Sequence, residues 1–170
     1  MKKKGGTWRP EDKRLFVLEI FIIGGPVTEG FVKKNRIISR TIEIVGDQTL
    51  EDLHNAIFQA FDRKEQHMYE FQFGKGPHDP DGERYVLPSA KGKVSGGAKI
   101  AGDVIHTTIG SLELEVDGAF GYWFDFGDDW MHQINVVSIV EQAPSGEYPR
   151  VTNREGESPP QYAVCDDEDE

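Results

Sequence analysis

The stretch "YWFDFGDDWMHQI", Tyr122 to Ile134, sets an aspartate and a histidine on either side of a Gly127-Asp128-Asp129 cluster. A carboxylate beside an imidazole fixes the ring's tautomer and raises its pKa, as a general base or an oriented metal ligand requires. If Asp128-Asp129 is a two-residue turn, Phe126 lies opposite Met131 and Asp125 opposite His132. A three-residue turn would instead place His132 opposite Phe124. On the first register His132 is expected to titrate above about 6.5, the ordinary histidine value. The plainer reading of the same residues is a structural hydrogen bond inside an aromatic wall of Trp123 and Trp130.

His54 and His67 are the other histidines that could join this chemistry. His54 lies within the apolar stripe Leu50, Leu53, Ile57, Ala60 and Phe61, where a hydrogen-bonded core histidine is the ordinary outcome. His54, His67, Asp125 and His132 fall on adjoining elements, which makes them the candidate set for a divalent metal. No pair has a diagnostic short spacing, so no cofactor is expected. "DPDGE" lacks the closing Glu of a calcium loop. "SGGAKIAGD" lacks the Gly-Lys-Ser/Thr of a phosphate cradle. Cys165 adjoins "DDEDE", where negative charge disfavours a thiolate.

These residues must be positioned by elements with legible periods. Leu15–Ile23 alternates with Glu19 on its polar side and reads as a strand. In "NRIISRTIEIVG" Ile38, Arg40, Ile42 and Ile44 share one parity, so a second strand follows. "DQTLEDLHNAIFQAF" is the best helix, with Thr49 as its cap and Asp52 completing a capping-box-like pair. His67–Phe73 alternates again, with Glu70 and Gln72 outward. Residues 74–106 form a long Gly/Pro-rich excursion with one short strand, Arg84–Leu87. Gly121–Phe126 and the stretch from Trp130 are the closing hairpin, and the segment from Ala143 is irregular.

This order predicts an α+β fold: a mainly antiparallel or mixed β-sheet with one principal helix packed on it. Its first four elements resemble the β-grasp (ubiquitin-like) arrangement. A chain of 170 residues fits one domain at 15–165, flanked by a basic flexible arm (1–14) and an acidic tail (166–170). Both ends are rich in charge and poor in apolar surface. Deleting residues 1–10 and 166–170 is therefore expected to leave the melting temperature nearly unchanged, as a thermal melt would record.

The net charge of −11 opposes binding along a nucleic-acid backbone, although "MKKK" could touch one. The longest apolar run is far too short for a bilayer span. One cysteine precludes an internal disulfide and fits a cytoplasmic protein.

"TLEDLHNAIFQAF", "HMYEF", "YWFDFGDDWMHQI" and "YPRV…GESPPQY" resemble the plasmid pRiA4b ORF-3-like family over about residues 15–162. The chain departs from the family pattern at three places. Asp62-Arg63 replaces the usual Gly-Trp, Asp129 replaces Gly, and Pro159-Pro160 lacks the cysteines that often flank it. The resemblance implies plasmid- or transposon-associated proteins of undetermined activity. The combined expectation is a non-catalytic protein-interaction module. The alternatives are a hydrolase using an Asp125–His132 pair, metal-assisted or not, and an accessory nucleic-acid-binding protein.

Overall fold

Alternating apolar residues in "LFVLEIFIIG" become strand β1 (Leu15–Gly24), with Phe16, Leu18 and Ile20 buried on one face. The computed structural model describes residues 11–90 and 99–162. The first ten residues, part of the "SGGAKIAGD" segment, Cys165 and the acidic tail lie outside the described residues. The elements that follow are α1 (Glu29–Lys34), β2 (Ser39–Val45), α2 (Leu50–Ala60), β3 (Tyr69–Phe73), β4 (Glu83–Val86), β5 (Lys99–Asp103), β6 (Ala119–Phe124), β7 (Trp130–Val140) and β8 (Arg150–Glu155). Short 3-10 turns occupy Pro88–Ala90 and Ile109–Leu112. Among the described residues no helix is long and apolar enough to cross a membrane.

The strands form one eight-stranded mixed sheet in the order β5-β4-β3-β6-β7-β1-β2-β8. Neighbours are antiparallel except β4 and β5, which are parallel. The fold is therefore α+β with one principal helix. The ubiquitin-like expectation is not met. That arrangement sets a strand parallel to β1 directly beside it, whereas both neighbours of β1 here are antiparallel to it. The place beside β1 goes to β7, eleven residues long and antiparallel to it.

Helix α2 forms where its stripe predicts. Thr49 Oγ1 accepts from the Asp52 N–H at 3.1 Å, and Asp52 Oδ2 accepts from the Thr49 N–H at 2.9 Å, closing a capping box. Leu50, Leu53, Ile57 and Ala60 are buried against Ile42, Ile44, Phe71, Tyr122 and Ile134 of the sheet. Phe31 of α1 joins the same core from the same side.

Arg40, in the inward row of β2, is 2% exposed. Its guanidinium donates to the carbonyls of Ala60 at the end of α2, of Ser39, of Glu155 at the end of β8 and of Gly156 after it, and to Ser158 Oγ. One cation thus serves orphan carbonyls from three parts of the chain.

Three boundaries differ from expectation. The basic arm stops short of residue 14: Asp12 is buried, holds Arg14 at 2.9 and 2.6 Å, and adjoins Gly46 and Gly110. The excursion contains two strands, β4 and β5. The segment after Ala143 is not wholly irregular, because Arg150–Glu155 pairs with β2 as the edge strand β8.

Candidate functional site

Register on the core face decides which polar side chains meet. Tyr122 of β6 sits between Phe71 of β3 and His132 of β7. The same pairing sets Phe124 opposite Trp130, leaving residues 125–129 as the turn. The turn is five residues long because Asp125 (φ 68°) and Asp129 (φ 59°) both adopt the left-handed conformation. Asp125 Oδ1 accepts the N–H groups of Gly127 and Asp128 at 3.1 and 3.2 Å, and Asp129 Oδ1 accepts Trp123 Nε1–H at 2.9 Å. The expected Asp125–His132 pair is therefore not formed: His132 faces Tyr122, and Asp125 lies beyond the ladder.

His132 is 1% exposed and its Nδ1–H donates to the Tyr122 carbonyl at 3.2 Å. Burial first, and the nearby positive charge of Arg63 second, push its pKa down to about 3. The expected upward shift has the opposite sign because no carboxylate offsets the desolvation.

His54, from α2, is sealed in the same core. Its ring stacks on Tyr69 at 3.7 Å. Nε2 lies 2.8 Å from Gln66 Oε1, and Nδ1 lies 2.6 Å from the Tyr122 hydroxyl. An amide oxygen can only accept, so Nε2 carries the proton and Nδ1 accepts from Tyr122. Burial lowers this pKa to about 4. Both nitrogens of the neutral ring are thus committed to protein partners, which leaves no lone pair for a metal.

The acid–base contact that does form joins Asp125 to His67, with Oδ2 and Nε2 3.5 Å apart. His67 Nε2 is also 2.8 Å from the Tyr162 hydroxyl, which lies 2.6 Å from Glu65 Oε1. That bond to Glu65 pushes Tyr162 up to about 12. The phenol donates to the carboxylate and accepts from the imidazole. The chain Asp125–His67–Tyr162–Glu65 fastens a strap, residues 158–162, to the hairpin, and its Tyr162 and Glu65 end lines a cavity of about 510 Å³ together with Pro159, Pro160 and Gln161. Its neighbour Arg63 lies 4.0 Å over the Trp130 ring and donates to the Pro159 carbonyl at 3.0 Å. Trp130 Nε1–H donates to the Gln161 carbonyl at 3.3 Å. Among the described residues no group of three His, Cys, Asp or Glu side chains is placed to hold a metal ion.

Of the four candidates, His54 and His132 meet across Tyr122, and His67 and Asp125 meet at the turn. Sequence reasoning missed Arg63, Tyr162 and Gln66, which serve these rings from loops with no period. It also missed His78, on the other side of the sheet.

That other side has a different character. Both α-helices pack on the core face. The opposite face carries Glu19 and Phe21 of β1, Met131, Gln133 and Asn135 of β7, and Trp123 of β6, all half-buried on adjacent strands. Trp123 packs at a tilt of 43° against the exposed Phe126, with ring centroids 4.3 Å apart. Beside them lies a buried polar row: Glu70 and Gln72 of β3, with Arg84 of β4 2.9 Å from Glu70.

An eight-stranded mixed sheet with the described helices packed on one face and histidines buried beneath them is the class of protein these observations define. The profile of the plasmid pRiA4b ORF-3-like proteins matches residues 31–163, and the chain belongs to that family. Its fold is similar to the crystal structure of a protein of unknown function from Methanosarcina mazei Go1. The TM-score is 0.63 at 21% identity, over 87% of this chain and 72% of that one. Among curated proteins none matches.

Proposed function

We propose that this protein is a non-catalytic interaction module that receives a partner protein on the open face of its sheet. One observation carries the reading. Both nitrogens of His54 and the Nδ1–H of His132 are spent on partners inside the core, and His67 on Tyr162 and Asp125, whereas Phe21, Trp123, Met131, Gln133 and Asn135 stand half-exposed side by side. Aromatic and Met side chains interleaved with amides are the composition of a protein-binding surface. The acidic body disfavours a nucleic-acid partner. The single cysteine supports a cytoplasmic setting. Plasmid or transposon association follows from the family resemblance alone.

The test uses the full chain in its native host with a photo-crosslinking residue at Gln133. A control carries it at Asn55, on the exposed side of α2. A discrete protein adduct is expected from the first position and none from the second. Trp123→Ala should weaken that adduct strongly, since a central aromatic anchor is worth about 2 kcal/mol or more. Equal labelling at both positions, or none at Gln133, would remove the reading.

A further inference from the structure

The loop between β3 and β4 crosses the open face. His78 packs on Gly121 of β6: a Cβ built there would lie 2.8 Å from the His78 ring and 3.0 Å from its backbone nitrogen. His78 itself holds φ at 62°, in the left-handed region that few non-glycine residues adopt. The loop is braced from within. Asp79 accepts the N–H groups of Lys75 and Asp81, each at 2.9 Å, and the Gly82 N–H donates to the Asp79 carbonyl.

Its fastening to the sheet runs through the imidazole. Nε2 is 2.9 Å from the His132 carbonyl, and Nδ1 is 2.9 Å from Gln72 Oε1. Gln72 Nε2 in turn donates to Glu70 Oε2, which also takes Arg84 Nη1 at 2.9 Å. The protons can be assigned by elimination. Glu70 Oε2 already accepts from Arg84, so Gln72 turns its NH₂ toward it and its oxygen toward His78. A carbonyl on one side and an amide oxygen on the other can both only accept. Both ring nitrogens must therefore donate, and the arrangement describes an imidazolium.

We propose that residues 74–82 are a lid on the open face, latched by doubly protonated His78 and released when that ring loses a proton. Its regulatory meaning rests on the interaction reading above, but the latch itself does not. A neutral ring has one N–H and can keep one of the two bonds. The other then becomes a contact between two acceptors, and the strained residue loses half its support. The facing groups are Glu70 from β3, Arg84 from β4 and Asp79 within the loop. His132 presents its backbone carbonyl, and its own ring is turned to the core and held neutral. Burial lowers the His78 pKa, and the His132 carbonyl and Glu70 oppose that shift. The lid is accordingly closed on the acid side and open on the alkaline side.

NMR of the full chain tests this between about pH 5 and 8.5. The His78 ring-nitrogen shifts distinguish imidazolium from either neutral tautomer. Both nitrogens should carry protons at the acid end. Across the same midpoint, exchange protection factors of residues 75–82 and Gly121 should fall by about tenfold or more. Glu70→Gln should lower the midpoint. Gly121→Ala, whose methyl occupies the lid's seat, should leave those residues poorly protected at every pH while α2 stays protected. A single-proton ring at the acid end, or protection factors flat with pH, overturns the latch whether or not either variant folds. A working latch with no crosslink at Gln133 would instead remove the interaction reading and leave the latch standing.

Discussion

Taking the protein from about pH 7 to about pH 4 should cost roughly 6 kcal/mol of folding stability through two histidines alone. The folded pKa values are about 4 for His54 and about 3 for His132, and the unfolded chain titrates near the ordinary value of 6.5. Between these values the unfolded chain binds protons that the folded chain refuses. The contribution is complete above about 6.5 and is lost as pH falls, by about 3 kcal/mol for each ring at pH 4. Against net stabilities of about 5–15 kcal/mol this is a large fraction, so the protein should be markedly easier to denature at pH 4 than at pH 7. Urea titrations at the two pH values measure it. His54→Gln keeps a donor and an acceptor near Gln66 and Tyr122 but removes one titrating ring. The pH-dependent loss should then shrink by about half, and an unchanged slope would mean that His54 is not held neutral.

Leu53→Ala and Ile57→Ala should each destabilise the fold by about 2–5 kcal/mol, because each empties space beneath α2. Leu53 is fully buried and Ile57 is 2% exposed, both within the cluster that joins the helix to the sheet. The cavity is not easily closed by collapse, since rigid rings of Phe71, Tyr122 and Phe124 form much of its floor. Chemical denaturation with an unchanged m-value checks both variants. A cost below about 1 kcal/mol would show that the helix is not what closes the core.

Helix α2 was legible in the sequence because three local signals agree there: stripe, cap and acidic first turn. Strands β1, β2, β3, β6 and β7 were legible from alternation of apolar and other residues, although in β3 the alternate residues Glu70 and Gln72, expected to face outward, are buried on the second face. The hairpin's existence could be read, but its register could not. Register depends on Asp125 and Asp129 accepting positive φ, which their own side-chain bonds stabilise and no periodicity reports. Displacing the turn moved His132 from a carboxylate to a tyrosine carbonyl and reversed its electrostatics. Edge strand β8 was hidden because it is mostly exposed and "RVTNRE" has no apolar row. α1, of six residues, is too short to develop a stripe.

Some of the site left a trace that went unread. Arg40 interrupts an inward row otherwise made of isoleucines. A cation at such a position must find several acceptors if the strand is real. His78 left no comparable trace, since its partners come from β3 and β7 and meet only after the sheet has closed.

The acceptors of Arg40 carry a consequence for synthesis. Ala60 lies 20 residues along the chain from it, whereas Glu155, Gly156 and Ser158 lie 115, 116 and 118 residues away. As the polypeptide leaves the ribosome, β1, β2 and α2 emerge early with the guanidinium at their junction. The last three acceptors follow only after more than a hundred further residues have been added, some seconds later at ordinary elongation rates of about 5–20 residues per second. Until then a cation destined for burial must stay hydrated, which keeps the early β1-β2-α2 unit from sealing around it. Completion of this part of the fold is thereby tied to synthesis of β8 and residues 156–158, and a nascent chain stalled before β8 would present an unfinished seam to chaperones and proteases.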